Sequence, residues 1–139
     1  METIDVFVYG TLKPGGVYHQ QYCGPYLKKS QSAQAQGLLY DLPALGYPVM
    51  TMGKGWVKGY LFTLDAAAIT GLDYLEGYNP DKGKHPMNDD DSEEDYVRQR
   101  IMTFDLAAQP LKEAWIYVMA EPPNGAVFLS TGEWPLPHT

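Results

Sequence analysis

Apolar and polar positions alternate with period two along several short stretches of this chain and with period 3.6 along only one, which predicts strands plus a single substantial helix. The first apolar run, Ile4-Asp5-Val6-Phe7-Val8-Tyr9, is β-branched and aromatic, and it breaks into Gly10-Thr11-Leu12-Lys13-Pro14-Gly15-Gly16, so a strand stops where a backbone-rich loop begins. Residues 17–22 read as a short helix ended near Gly24-Pro25, because proline cannot continue it. Residues 33–40 read as a strand that leads into a turn-rich apolar loop at 42–48 and returns through Val49 and Met50. Residues 56–64 read as a core strand with Trp56, Tyr60, Phe62 and Leu64 on one face. Two further strands, 96–104 and 114–119, are predicted to form a hairpin through the Gln109-Pro110 turn.

The one convincing helix is predicted over residues 66–76, with Asp65 as its N-cap and Gly77 at its left-handed C-terminal position. At roughly 100° per residue, Ala68, Ile69, Leu72 and Leu75 form an apolar stripe, and Glu76 points within about 20° of Ile69. The helix thus carries a carboxylate on its buried side. Burial and the negative end of the helix dipole both disfavour the charged form of Glu76, and a carboxylate moved toward neutrality suits proton transfer near pH 7. The simpler alternative is a glutamate that ends a helix and reaches past Leu72 to solvent.

Composition narrows the function classes. The 139 residues are 45% hydrophobic, enough for one globular domain over 1–139 with its own core. The chain holds 11 Tyr, 11 Pro and 14 Gly, a balance that favours short strands and many turns. A net charge of -7 argues against general attraction to nucleic acid or anionic lipid. No apolar run is long enough to cross a bilayer, no signal-like segment is visible, and the sole cysteine, Cys23, has no internal partner, so a reducing cytoplasm is the expected compartment. Six acids crowd residues 89–95 within a predicted mobile surface loop at about 80–95, and residues 121–139 read as Pro- and Gly-rich coil packed across the body or frayed.

Several chemical constellations have plain structural readings. His19 and Cys23, at i and i+4, suit a thiolate–imidazole pair or half a metal site, but His85 and His138 fall in loops without ligand-like spacing, and Cys23 reads more simply as a small packing residue. The acidic run lacks the glycine and terminal glutamate of an EF-hand, and Gly10 with Gly15-Gly16 lacks the order of a phosphate loop. No metal and no cofactor are expected. Arg98 and Arg100 share one side of their strand, where they meet either a substrate carboxylate or, as is commoner, surface acids. Tyr18, Tyr22, Tyr26, Tyr40 and Tyr47 read as core or rim aromatics.

Five segments, taken in order, resemble the γ-glutamylcyclotransferase-like family. They are Val6-Phe7-Val8-Tyr9-Gly10-Thr11-Leu12, Gly59-Tyr60-Leu61-Phe62, Leu72-Asp73-Tyr74-Leu75-Glu76-Gly77-Tyr78, Tyr96-Val97-Arg98 and Trp115-Ile116-Tyr117. The resemblance covers roughly residues 4–120 and lies nearer the compact γ-glutamylamine cyclotransferase branch than the larger glutathione-acting enzymes. It implies an α+β fold, a small mixed β-barrel with flanking short helices. The implied reaction turns a small γ-glutamyl amide or amine into 5-oxoproline and a free amine, without a cofactor. Carried over by position, Tyr9, Gly10, Thr11 and Leu12 hold the glutamyl moiety through main-chain N–H groups, Glu76 is the acid/base, and Tyr117 and Tyr96 line the pocket. The passage from Lys82 to Asp95 is longer and more acidic than the family pattern, which leaves substrate choice open; the sequence also does not identify the amine half of the substrate or the oligomeric state. Two other classes fit the same residues: a binding module that holds a small acidic metabolite or peptide end without turnover, and an adaptor acting through the acidic loop.

Overall fold

The computed structural model describes residues 2–10, 12–14, 16, 19–43, 46–76 and 97–134, leaving aside the side chains of residues 74–76. The acidic loop, Gly77, Tyr96, Thr11 and the last five residues fall outside that description. The described elements, in order, are β1 (Thr3–Val8), α1 (His19–Tyr22), a 3₁₀ turn (Gly24–Tyr26), β2 (Leu27–Leu42), β3 (Tyr47–Asp65), α2 (Ala68–Glu76), β4 (Val97–Phe104), β5 (Pro110–Val118) and β6 (Val127–Phe128).

The strands bond in the order β3-β1-β5-β4-β2-β6, and β2 also pairs with β3, so five strands close into a ring with β6 attached outside it. The ring is mixed: β1 and β5 are parallel through Val6 and Trp115, and the other pairings are antiparallel. The small mixed barrel expected from the resemblance is therefore the observed fold. Closure leaves few edges for wrong pairing, which suits a chain this rich in strand formers.

Two strands run well past their predicted ends. β2 reaches back through Lys28-Lys29-Ser30-Gln31-Ser32, a polar stretch without the alternation that marks a half-buried strand, because its hydrogen bonds to residues 60–63 of β3 hold it. β3 runs on through Gly53 and Gly55, between the predicted return at Val49-Met50 and the strand at 56–64, by pairing with β2 across an irregularity between Gln36 and Leu38. The predicted hairpin forms between β4 and β5, with the Asp105 carboxylate accepting hydrogen bonds from the Ala107 and Gln109 amides in its turn.

Two apolar clusters lie on opposite sides of the strands. The inner one takes Phe7, Ala33, Ala35, Val57, Leu61 and Ile116 from around the ring, with Ile101 of β4 against it, and it fills the barrel. The outer one takes Val6, Val8, Phe62 and Leu64 from the wall, Cys23 after α1, and Ala68 and Leu72 of α2. Both faces of β3 are thus buried over 60–64, which the sequence reading treated as a single core face. Tyr60, Phe62 and Leu64 share the outer side as expected, but Trp56 is not core: it is 37% exposed and stands edge-on to Phe104 at 5.2 Å. Its place on the alternating pattern is right, but it belongs to neither buried cluster.

Gly59 lies against the end of β1, where an added Cβ would strike the Val8 carbonyl. Gly59→Ala is expected to lower stability by about 1–3 kcal/mol, read as a lower urea midpoint at unchanged m-value. An unaltered midpoint contradicts that backbone contact.

Candidate active site

Two of the predicted site residues, Leu12 and Tyr117, lie in the outer cluster. β1 delivers its C-terminal end into a tight turn, closed by the Lys13 amide bonding to the Gly10 carbonyl at 3.0 Å and the Gly16 amide to the Lys13 carbonyl at 2.7 Å. Gly10 has to be glycine here, since a Cβ would sit 2.7 Å from Pro48 Cγ and 2.8 Å from its Cδ, both in a ring that cannot move aside. Leu12 is buried in the outer cluster with Leu72 of α2 and Tyr117 of β5. Its carbonyl accepts a hydrogen bond from His19 Nδ1 at 2.8 Å, while the His19 ring packs edge-on to Phe62. A carbonyl only accepts, so Nδ1 carries the proton, and His19 is an anchor for the loop. Cys23 is fully buried in the same cluster, as its packing reading predicts.

A hydrogen-bonded chain then crosses the wall. The Tyr9 ring lies in the inner cluster, and its hydroxyl donates to the Tyr117 carbonyl at 2.6 Å. The Tyr117 hydroxyl donates to Asp73 Oδ1 at 2.7 Å, and Arg98 Nη1 reaches Asp73 Oδ2 at 3.1 Å. Tyr117 and Arg98 are register partners on β5 and β4, which puts both opposite α2. The Arg98 guanidinium lies over Trp115 at 4.7 Å and that of Arg100 at 5.0 Å. Arg100 pairs with Glu113 at 3.4 Å in an exposed contact, the commoner of its two predicted fates, whereas the acid that Arg98 meets is the buried Asp73 and not a surface one.

Asp73 is the residue the sequence reading missed. It is 7% exposed, and burial pushes its carboxyl above the usual carboxylate range, opposed by the Tyr117 hydrogen bond and by the Arg98 charge. The signal was partial: four residues after Ile69 on α2, Asp73 points about 40° past that residue, at the polar edge of the apolar stripe, whereas Glu76 falls within it. The helix itself starts at Ala68, two residues later than predicted, because Ala66 and Ala67 form a tight lead-in turn in which Asp65 Oδ1 accepts from the Ala67 amide and the Ala66 carbonyl from the Ile69 amide.

The predicted site residues divide accordingly. Leu12 and Tyr117 are brought together with Leu72 of α2 in the outer cluster, Tyr9 joins them from the inner side through its hydroxyl bond to the Tyr117 carbonyl, and Gly10 packs on Pro48. Glu76 is the last residue of that helix, one turn beyond Asp73, and its side chain lies outside the described residues, as do Thr11 and Tyr96. Among the described residues, no three His, Cys, Asp or Glu side chains are grouped to hold a metal ion, and no helix is long and apolar enough to cross a membrane.

These features define a class: a small closed mixed barrel whose glycine turn and acid-bearing helix share one outer wall. Residues 6–136 match the family model for gamma-glutamyl cyclotransferase, AIG2-like, and the chain belongs to that family. It is 28% identical over 131 residues to the gamma-glutamylcyclotransferase family protein YtfP of Escherichia coli K12, covering 93% of this chain and 94% of that one. An AIG2-like protein from Mus musculus has the same fold, with a TM-score of 0.70 at 16% identity over 97% of this chain and 90% of the mouse chain. YkqA from Bacillus subtilis has it too, at a TM-score of 0.66 and 23% identity over 96% of this chain, which spans only 40% of the YkqA chain.

Proposed function

We propose that this protein is a γ-glutamyl cyclotransferase, converting a small γ-glutamyl amide or γ-glutamyl amine into 5-oxoproline and a free amine with Glu76 as the acid/base. One observation carries the reading: Leu12 of the glycine turn, Leu72 of α2 and Tyr117 pack in a single cluster, so the proposed glutamyl holder and the helix that ends in Glu76 belong to one wall.

The reaction suits that arrangement. Glu76 takes a proton from the substrate's α-ammonium, and the freed nitrogen attacks the γ-carbonyl to form a tetrahedral oxyanion. Collapse breaks the bond to the amine half as Glu76 takes the second proton from the attacking nitrogen, and the protons so removed are passed to the leaving nitrogen, which departs as the free amine. Nucleophile and carbonyl belong to one molecule, so holding the glutamyl chain folded supplies an effective molarity of about 10⁵ M or more. Main-chain N–H groups at Tyr9, Gly10, Thr11 and Leu12 hold the substrate carboxylate or the oxyanion. The Tyr9 and Tyr117 rings are buried, which fits a role as wall and support. Tyr96 is proposed as a further pocket-wall residue.

The test is 5-oxoproline release across a panel of γ-glutamyl amino acids, γ-glutamyl amines and glutathione. Saturable turnover of at least one class is the expected result. Tight binding of 5-oxoproline with no turnover of any panel member assigns the protein instead to the non-catalytic binding class.

A further inference from the structure

We infer that Lys13 is a positioning residue for the 9–12 loop, acting through the main-chain carbonyl of Trp134, so that the segment 129–134 is a working part of the site; this rests on reading that loop as the glutamyl holder. Lys13 follows Leu12 directly and is only 5% exposed, a rare place for a lysine. Its Nζ donates to the Trp134 carbonyl at 2.7 Å across 121 residues of sequence. Burial lowers its pKa, partly offset by the nearby Glu133 charge. A buried ammonium held by a neutral carbonyl is a poor choice for stability alone, because an apolar side chain would avoid the desolvation cost.

The far end of this bond is fixed. Trp134 is 7% exposed within the inner cluster, and its indole Nε1 donates to Asp41 Oδ1 at 2.9 Å. The Leu129 amide bonds to the Leu39 carbonyl at 2.8 Å and the Lys58 amide to the Gly132 carbonyl at 2.7 Å, which stitches the segment to β2 and β3. Gly132, at φ 72°, lies so close to the Trp56 carbonyl that a Cβ would collide with it. The loop is thus bracketed: His19 holds the Leu12 carbonyl and Trp134 holds the Lys13 side chain. Donors that must meet a small anion need placement to about half an ångström, and two anchors on consecutive residues provide it.

The experiment compares Lys13→Met, Lys13→Arg and Trp134→Phe in the full chain by 5-oxoproline kinetics, thermal melting and amide hydrogen exchange. A loop that holds the glutamyl end equally in ground and transition states affects KM more than kcat. Lys13→Met is expected to raise KM about tenfold with kcat within threefold, and to speed exchange at loop amides while the barrel strands keep their protection. Lys13→Arg, which keeps a cationic donor, restores most of both. Trp134→Phe, which keeps the carbonyl but loses the Asp41 bond, moves them less in the same direction. Wild-type KM and loop exchange in Lys13→Met overturn the proposal. So does a lowered melting temperature with faster exchange over the whole barrel, which marks plain packing. If wild-type protein turns over no panel substrate, the cyclotransferase reading fails, and loop exchange alone still decides whether Lys13 fixes the loop.

Discussion

Glu76→Gln lowers kcat for 5-oxoproline release by about 10²- to 10⁴-fold, with KM changed little and melting temperature retained. The substitution exchanges one oxygen for an amide nitrogen, so the side chain keeps its size and loses only the ability to take and return a proton. Binding by main-chain donors of the 9–12 loop does not depend on that proton, which separates kcat from KM. Glu76 ends α2, and Gln has nearly the same size and helix propensity, so the substitution is expected to leave the fold in place. Turnover within tenfold of wild type places the proton transfer elsewhere. Asp73, the buried carboxylate on the same helix, is then the first residue to examine.

Asp73→Ala destabilises the protein by about 3 kcal/mol, the lower end of the range for breaking a buried ion pair, and lowers Tm by roughly 10 °C. It removes the carboxylate that the Tyr117 hydroxyl and the Arg98 guanidinium share, and the side chains of the pair are only 16% and 10% exposed. Asp73→Asn is milder, since it keeps an acceptor for Tyr117. Its difference from wild type also varies with pH in a fixed direction. The folded carboxyl titrates above its ordinary value of 3.8, so the folded state binds the proton more tightly than the unfolded chain. That contribution is fully present below 3.8 and is lost as pH rises through the folded pKa. The Asn variant, neutral throughout, therefore compares better with wild type at pH 7 than at pH 3.5, measured by urea unfolding at both. An equal difference at the two pH values removes the burial argument for Asp73.

Local pattern served well wherever packing followed it. β1, the β4–β5 hairpin and the turn that joins β2 to β3 were legible because their apolar alternation and turn residues agree with the final pairing. The polar half of β2 and the glycines of β3 were not, since long-range hydrogen bonds hold those segments extended without help from hydrophobicity. Trp56 misled because alternation gives a side chain's direction and not what covers it. Of the candidate site, the sequence offered a glycine turn and an acid on a helix face, and the turn is the part that the described residues show. The helical wheel carried Asp73 as well, but its partners come from strands 25 and 44 residues away.

The sequence by itself determined the element types, the lone acid-bearing helix and, through five ordered segments, the likeness to a cyclotransferase family, because each is a property of neighbouring residues. Only the tertiary structure decided which face of β3 meets which core, that Asp73, Tyr117 and Arg98 share one buried contact, and that the loop after β1 is tied to Trp134. Those facts depend on how the ring closes, and closure brings together residues that no local spacing relates.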